Sequence, residues 1–199
     1  MIEVEKKFIL TKDDEARLTQ GAEFLKEYSF TDAYYDTGDY ALTSQDVWLR
    51  ARDGKWELKI PLHKGAERLG DQYRELTDEN EIKKYLQISQ EKTFEDALKR
   101  KGYVPFSTFT SVRRKYRKES FIIDLDFVDF GDFIYTIGEI ELMIKDQDDM
   151  KAALDKIMDF ARKHDLKITH VRGKLMEYLK RKRPEHHKAL IKANVAKDF

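Results

Sequence analysis

Apolar and charged residues alternate along several short segments of the chain. In residues 2–8, Val4 and Phe8 fall on one parity, while Glu3, Glu5 and Lys7 fall on the other. Because successive side chains of a strand point to opposite faces, this pattern predicts a strand with one charged face. Five further segments alternate in the same way: 47–52, 55–60, 113–117, 121–127 and 138–144.

The complete pattern predicts about eight strands with helices between and after them. The predicted strands are 2–9, 30–36, 46–52, 55–61, 70–77, 105–118, 120–128 and 133–144. The predicted helices are 12–25, 79–88, 93–101, 147–165 and 171–193, the last interrupted near Pro184. Asp53-Gly54 is typical of a hairpin turn. Because the order is mainly hairpins, we expect the α+β class with an antiparallel sheet or barrel.

Composition and charge argue against several classes of function. The 199 residues fit one domain, 1–199, with a basic helical C-terminal segment. Lys+Arg and Asp+Glu both number 38, which argues against a nucleic-acid partner. The absence of cysteine excludes disulfides and thiolate chemistry. No stretch is long and apolar enough for a membrane span, and no secretory signal is visible, so we expect a cytoplasmic monomer.

The charged faces allow two interpretations. One is an ordinary sheet with a core on one side and water on the other. However, nearly every polar-face position is Glu, Asp, Arg or Lys, where a solvated face also admits Ser, Thr, Asn and Gln. The second interpretation is a closed sheet whose charged faces point inward and whose apolar faces are covered by helices. Its tunnel would have an acidic wall (3/5, 124/126 and 139/141) and a separate basic wall (50/52 and 113/115).

Such a tunnel suits a metal-complexed polyphosphate. Carboxylates are the ligands that Mg²⁺ and Mn²⁺ prefer, and Arg and Lys bind phosphate oxygens. No G-x-x-x-x-G-K-[ST] segment occurs, so a P-loop is excluded. Phosphate would therefore be bound by side chains from many strands.

Several motifs resemble one known family. E-V-E-K-K (3–7) is followed by Y-Y-D-T (34–37), V-W-L-R-A-R (47–52), W-E-L-K (56–59), R-E-L-T (74–77), I-D-L-D (123–126), G-E-I-E (138–141) and G-K-L-M-E-Y-L (173–179). In this order they resemble the CYTH superfamily of triphosphate tunnel metalloenzymes, and within it the animal branch that acts on thiamine triphosphate. The segments 60–72 and 112–118 depart from that pattern.

The resemblance implies an eight-stranded antiparallel barrel that hydrolyses thiamine triphosphate to the diphosphate and phosphate, with Mg²⁺ as cofactor and Mn²⁺ as the alternative. Lys7 and Tyr34 would lie beside the attacked phosphorus, and Trp48 would stack on the thiamine. Matched positions give the metal ligands Glu3, Glu5, Asp124, Glu139 and Glu141. They give the triphosphate ligands Lys7, Arg50, Arg52, Lys59, Arg74, Arg113 and Lys174.

Some assignments stay open. Lys7 as the general base predicts an alkaline rate optimum. Asp126 is expected either to lie behind the metal ligands, in contact with them, or to face solvent. Glu57 is expected to pair with Lys59 or a neighbouring Arg. His186 and His187 are expected at the surface, and residues 180–183 as a solvated helix end. Alternative functions are an inorganic tripolyphosphatase or nucleoside triphosphatase, an adenylyl cyclase, and a polyphosphate-sequestering module; Trp48 favours thiamine triphosphate.

Overall fold

A computed structural model describes residues 2–62, 71–88, 93–146 and 149–198. Its strands are β1 (Ile2–Phe8), β2 (Glu23–Asp36), β3 (Trp48–Arg52), β4 (Lys55–Pro61), β5 (Asp71–Leu76), β6 (Val104–Lys118), β7 (Phe121–Asp129) and β8 (Ile134–Ile144). Its helices are α1 (Lys12–Thr19), α2 (Glu79–Leu86), α3 (Phe94–Arg100), α4 (Met150–Lys163), α5 (Lys174–Lys182) and α6 (Pro184–Lys192). A short 3₁₀ turn spans Thr43–Gln45.

The strands form a closed barrel in the order β1-β5-β4-β3-β2-β6-β7-β8, which confirms the predicted eight-stranded antiparallel barrel. The β3–β4 hairpin turns at Asp53 and Gly54, whose φ angles of 48° and 79° lie in the left-handed region. Two positive φ angles in a two-residue loop are typical of the turn that matches the twist of the flanking strands. No helix within the described ranges is long and apolar enough to cross a membrane.

The chain divides into two compact units. The first comprises Met1–Ser29, Glu67–Gln72 and Thr110–Glu177, and the second comprises Phe30–Ala66, Tyr73–Phe109 and Tyr178–Phe199. The expectation of one domain over residues 1–199 stays a prediction.

The core of the first unit lies between strands and α4. Val4 of β1, Ile123 of β7 and Ile140 of β8 are almost fully buried and belong to one cluster with Ile157 and Phe160 of α4. These strand residues belong to the apolar parity of the sequence. A helix therefore covers the apolar face of these strands, as expected from the alternation.

The core of the second unit has the same construction. Leu49, Leu58 and Leu76 of β3, β4 and β5 pack in one cluster with Ile82 of α2 and Leu98 of α3. Leu58 and Leu98 have no exposed surface. The parity of β3 and β4 is thus confirmed, because their apolar side chains face helices.

The predicted boundaries were wrong in one region. The helix expected over 12–25 ends at Thr19, and β2 begins at Glu23 instead of residue 30. Gly21 between them has a φ of 71°, a backbone conformation that glycine adopts without strain. Phe24 packs edge-to-face against Tyr116 of β6, with ring centroids 5.4 Å apart, so a tertiary contact favours the longer strand. Predicted positions 70, 147 and 148 lie outside the described residues.

Candidate functional site

Strand pairing in the first unit brings the predicted metal ligands together. The register places Glu5 opposite Glu141 on β1 and β8, and Asp124 opposite Glu139 on β7 and β8. Two groups of three carboxylates result, Glu3/Glu5/Glu141 and Asp124/Glu139/Glu141. Within each group, one oxygen of every side chain lies within 4.8 Å of the others. All five residues predicted as metal ligands belong to these groups.

The two carboxylate groups fit a hard divalent cation. All their donors are oxygens, the ligand type that Mg²⁺ and Mn²⁺ prefer. Oδ1 of the fully buried Asp124 accepts no well-aligned hydrogen bond, although Nζ of Lys115 lies 2.7 Å away. Burial raises the pKa of Glu141 to about 9, and the charges of Asp124, Glu3 and Glu139 act in the same direction. This crowding of negative charge is what a bound cation would relieve.

Arg113 of β6 lies among these carboxylates. Its Nε and Nη2 donate to the two oxygens of Asp126 at 2.6 and 2.7 Å, and Nη2 also donates to Glu139 at 3.0 Å. Nη1 donates to Asp124. Burial lowers the pKa of Arg113, but its hydrogen bonds to Asp126 and the surrounding negative charges outweigh burial and raise that pKa well above its usual value. The guanidinium is therefore a permanent cation.

Two lysines are bound in the same way. Lys115 donates to Asp124 at 2.8 Å, and its Nζ lies 3.5 Å from Glu141. Lys174, at the start of α5, donates to Asp126 and lies 3.4 Å from Oγ of Ser111. Burial lowers the pKa of Lys174, and the positive charge of Arg113 acts in the same direction.

Lys7 lies with the acidic residues of β1 and β8. Its Nζ donates to Glu5 and is 4.0 Å from Oε1 of Glu139. The position agrees with the parity of the E-V-E-K-K segment. The neighbouring Lys6, on the opposite parity, is buried and donates to the carbonyl of Thr169 at 2.8 Å.

The predicted separation of an acidic and a basic wall was wrong in this unit. The β6–β7 register places Arg113 opposite Asp126 and Lys115 opposite Asp124, so basic and acidic side chains alternate across the strand pair. Asp126 is buried with 1% exposure, so it is not solvent-facing. It accepts hydrogen bonds from Arg113 and Lys174, and the other expectation, a place behind the metal ligands, stays a prediction.

The second unit holds Arg50 and Tyr34 side by side on β3 and β2. Arg50 Nε donates to Glu57 at 2.8 Å, and Nη1 donates to the Tyr34 hydroxyl at 3.4 Å. Glu57 thus pairs with an arginine, one of the two partners expected. Burial raises the pKa of Tyr34, and the charge of Asp32 adds to the effect. The phenol is therefore protonated at neutral pH.

Two more predicted phosphate ligands of this unit have carboxylate partners. Arg52 donates to both oxygens of the fully buried Asp32, at 2.7 and 3.0 Å. Lys59 forms an ion pair with Glu75 of β5 at 2.6 Å. Arg74 was also predicted as a phosphate ligand. It is exposed and lies opposite Ile60 in the β4–β5 register, so it is not part of this group.

Trp48 is held by a carboxylate that sequence reasoning missed. Its Nε1 donates to Oδ1 of Asp46 at 2.8 Å, and the hydroxyl of Tyr73 donates to the same oxygen at 2.8 Å. Asp46 is buried with 7% exposure. The sequence signal for this contact is that Asp46 precedes Trp48 by two residues.

The expected surface position of the histidine pair was wrong. His186 and His187 of α6 are 3% and 4% exposed. The His186 ring stacks on Tyr40 at 3.9 Å between centroids, and its Nε2 lies 2.7 Å from Oγ1 of Thr43. Burial lowers the pKa of His186 to about 4. The basic residues before the pair suggested a solvated segment. Residues 181–185 are indeed exposed, but the two histidines that follow them are buried.

Comparisons with known proteins agree with this geometry. A family model described as CYTH domain matches residues 1–169. The thiamine-triphosphatase of Macaca fascicularis is 31% identical over 218 residues, covering 99% of this chain and 92% of that protein. The Homo sapiens thiamine-triphosphatase is 30% identical over 216 residues, covering 100% and 93%.

Solved structures support the fold. A Pyrococcus horikoshii protein matches with a TM-score of 0.66 and 21% identity, covering 90% of this chain and 99% of its own. A Hippeastrum protein described as having a dominant triphosphatase activity matches with a TM-score of 0.55 and 19% identity, covering 91% and 96%. These TM-scores show that the chain shares its fold with both proteins.

Proposed function

We propose that this chain, which belongs to the CYTH domain family, hydrolyses thiamine triphosphate to thiamine diphosphate and phosphate with the help of a divalent cation. Two thiamine-triphosphatases are about 30% identical to it over nearly their full length, which supports the substrate. The observation that carries the proposal is the pair of carboxylate groups on β1, β7 and β8. Ordinary surface carboxylates are not gathered and buried in this way.

The proposed ion is Mg²⁺ or Mn²⁺, held by Glu3, Glu5, Asp124, Glu139 and Glu141. A bound divalent cation neutralises the charge that develops on phosphate oxygens during phosphoryl transfer. The carboxylates would keep the ion in place and fix its approach to the substrate. Asp124 and Glu139 also accept hydrogen bonds from Arg113. They would therefore hold the ion close to a cation that binds phosphate.

The basic side chains of each unit are the proposed phosphate ligands. Phosphoryl transfer needs positioning and charge stabilisation more than covalent chemistry. Arginine suits this role because its planar group binds phosphate oxygens in pairs. In the first unit the proposed ligands are Arg113, Lys115 and Lys174. In the second unit they are Arg50, Arg52 and Lys59.

Lys7 and Tyr34 are the proposed catalytic residues. Lys7 would orient or deprotonate the attacking water, which predicts an alkaline rate optimum. Tyr34, whose pKa is raised by burial, would act at neutral pH as a hydrogen-bond donor to a phosphate oxygen and not as a base. If Lys7→Ala retained both the optimum and most of kcat, the role of Lys7 would be excluded.

Trp48 is the proposed contact for the organic part of the substrate. The thiazolium ring is both aromatic and cationic, and such a group is attracted to the face of an indole ring. Inorganic tripolyphosphate has no group for this contact. Trp48 therefore favours thiamine triphosphate over the broader triphosphatase alternatives.

Phosphate release tests the proposal. Thiamine triphosphate, tripolyphosphate and ATP are compared with Mg²⁺ or Mn²⁺ for the wild type, Trp48→Ala and the aromatic control Trp48→Phe. We expect a preference for thiamine triphosphate that is lost in the alanine variant and largely retained in the phenylalanine variant. A preference for tripolyphosphate in the wild type, with no change in Trp48→Ala, would refute the proposed substrate.

Metal binding is tested separately from activity. Addition of Mg²⁺ or Mn²⁺ should raise the melting temperature of the wild type, because an ion that binds only the folded state stabilises it. Asp124→Asn and Glu139→Gln should lose most of that increase, while the exposed Asp129→Asn should retain it. Equal increases in all four proteins would exclude the carboxylate groups as the metal site.

A further inference from the structure

Asp46 occupies an unusual position before β3. It ends the 3₁₀ turn Thr43–Gln45 with a φ of 61°, in the left-handed region that Asn, Asp and Gly tolerate best. Its N–H donates to the carbonyl of Thr43 at 3.0 Å. Its carboxylate is buried, and a buried carboxylate needs a specific reason to be retained.

The carboxylate joins two aromatic side chains from different strands. One atom, Oδ1, accepts the indole N–H of Trp48 and the hydroxyl of Tyr73, each at 2.8 Å. A hydrogen bond at the polar end of an aromatic ring limits the directions that its plane can take. Trp48 and Tyr73 are therefore fixed relative to one another through a single oxygen atom.

The turn that carries Asp46 is itself fixed. Asp36, at the end of β2, accepts the N–H groups of Leu42 and Thr43 at 2.9 and 2.8 Å. The hydroxyl of Thr43 contacts Nε2 of the buried His186 at 2.7 Å. Interactions with β2 and α6 thus restrain the backbone immediately before Asp46, so its carboxylate has a defined place.

We propose that Asp46 is a positioning residue that determines substrate specificity: it holds Trp48 and Tyr73 in one arrangement and adds a negative charge beside the indole, which favours triphosphates that carry a cationic aromatic group. The inference rests on the proposed function, in which Trp48 contacts the thiazolium ring. A carboxylate close to an aromatic surface attracts a cation that stacks there, and it disfavours a purely anionic ligand such as tripolyphosphate.

Two variants separate the charge from the hydrogen bonds. Asp46→Asn removes the charge but keeps an acceptor oxygen and tolerates the left-handed backbone. Asp46→Gly also tolerates that backbone and removes the acceptor as well. Asp39→Asn, at an exposed position of the same loop, is the matched control.

The readout is the ratio of kcat/KM for thiamine triphosphate to kcat/KM for tripolyphosphate. Loss of one favourable charge contact should lower this ratio about fivefold in Asp46→Asn, mainly through KM. Loss of the shared acceptor should lower it about thirtyfold in Asp46→Gly. The ratio for Asp39→Asn should equal that of the wild type. Circular dichroism and a thermal melt confirm that each variant is folded.

The outcomes distinguish this inference from the proposed function. If the wild type does not prefer thiamine triphosphate, the proposed function fails, and the specificity role of Asp46 fails with it. If the wild type prefers it and both Asp46 variants keep the ratio, only the role of Asp46 is refuted. If both rates fall equally, Asp46 is a structural residue without influence on specificity, which also refutes the inference.

Discussion

Asp126→Asn tests whether buried ion pairs hold the cations of the first unit. The carboxylate of Asp126 accepts two hydrogen bonds from Arg113 and one from Lys174, and it is 1% exposed. Asparagine has nearly the same shape but no charge. The substitution therefore preserves the packing, removes one negative charge from a buried network and replaces one acceptor oxygen by an NH2 group.

The expected loss of unfolding free energy depends on the partners that Arg113 retains in the variant. Removal of one partner of a buried ion pair typically costs about 3–5 kcal/mol, because the other charge is left uncompensated. Arg113 keeps Asp124 and Glu139 as partners, so we expect a loss near the lower limit. A loss of about 3 kcal/mol corresponds to a decrease in Tm of about 6–12 °C for a chain of this length.

Urea unfolding at pH 7 in the presence of a chelator measures this loss. The transition midpoint should fall while its slope m stays constant, since the surface exposed on unfolding is unchanged. Asp129→Asn, at the exposed end of the same strand, should change the unfolding free energy by less than about 0.5 kcal/mol. The difference between the two variants should persist at about 0.5 M NaCl, because buried pairs are only weakly screened.

One result would refute the reasoning. If Asp126→Asn lost less than about 1 kcal/mol, the hydrogen bonds to Arg113 and Lys174 would not be the interactions that stabilise this part of the protein. A loss that disappeared at high salt would show that Asp126 is accessible to solvent in solution.

Two further predictions concern the second unit. The lowered pKa of His186 means that the folded state keeps this ring neutral, while the unfolded chain takes up a proton below pH 6.5. The contribution of His186 to the free energy of unfolding is therefore fully present above pH 6.5 and should decrease by up to about 3 kcal/mol as the pH falls to about 4. Urea unfolding should show that His186→Gln largely lacks this decrease. Leu58→Ala, at a fully buried core position, should cost about 2–5 kcal/mol in the same assay. Leu58→Met should cost less than about 1.5 kcal/mol, and equal costs for the two would contradict the close packing of this cluster.

Strand positions could be predicted where one face is charged and the other apolar. β1, β3, β4 and β8 lie within two residues of their predicted limits, because alternation reports which face packs against helices. The start of β2 could not be predicted in this way. Phe24 lies in a segment without strict alternation, and its strand conformation depends on a contact with Tyr116 that is distant in sequence.

Alternation could show which charged residues share a strand face, but it could not show their partners. Parity places Arg113 and Asp126 on charged faces, and only the strand register shows that they lie opposite one another. Asp46 and His186 escaped prediction for a related reason. Asp46 contacts Tyr73 and His186 contacts Thr43, and neither contact can be recognised from a local sequence pattern.

The three proposed phosphate-binding arginines are all paired with carboxylates. A buried cluster of arginines without counter-charges would be strongly unfavourable in the absence of ligand. Each unit avoids this by pairing its cations: Arg113 with Asp126 in the first, and Arg50 with Glu57 and Arg52 with Asp32 in the second.

The same pairs also prepare the cations for binding. A guanidinium already fixed by a carboxylate loses little side-chain entropy when a phosphate oxygen replaces or joins that partner. A triphosphate presents several anionic oxygens, so it can contact more of these groups at once than a monovalent anion can. The carboxylate partners would therefore contribute to specificity for triphosphates while they stabilise the protein without ligand.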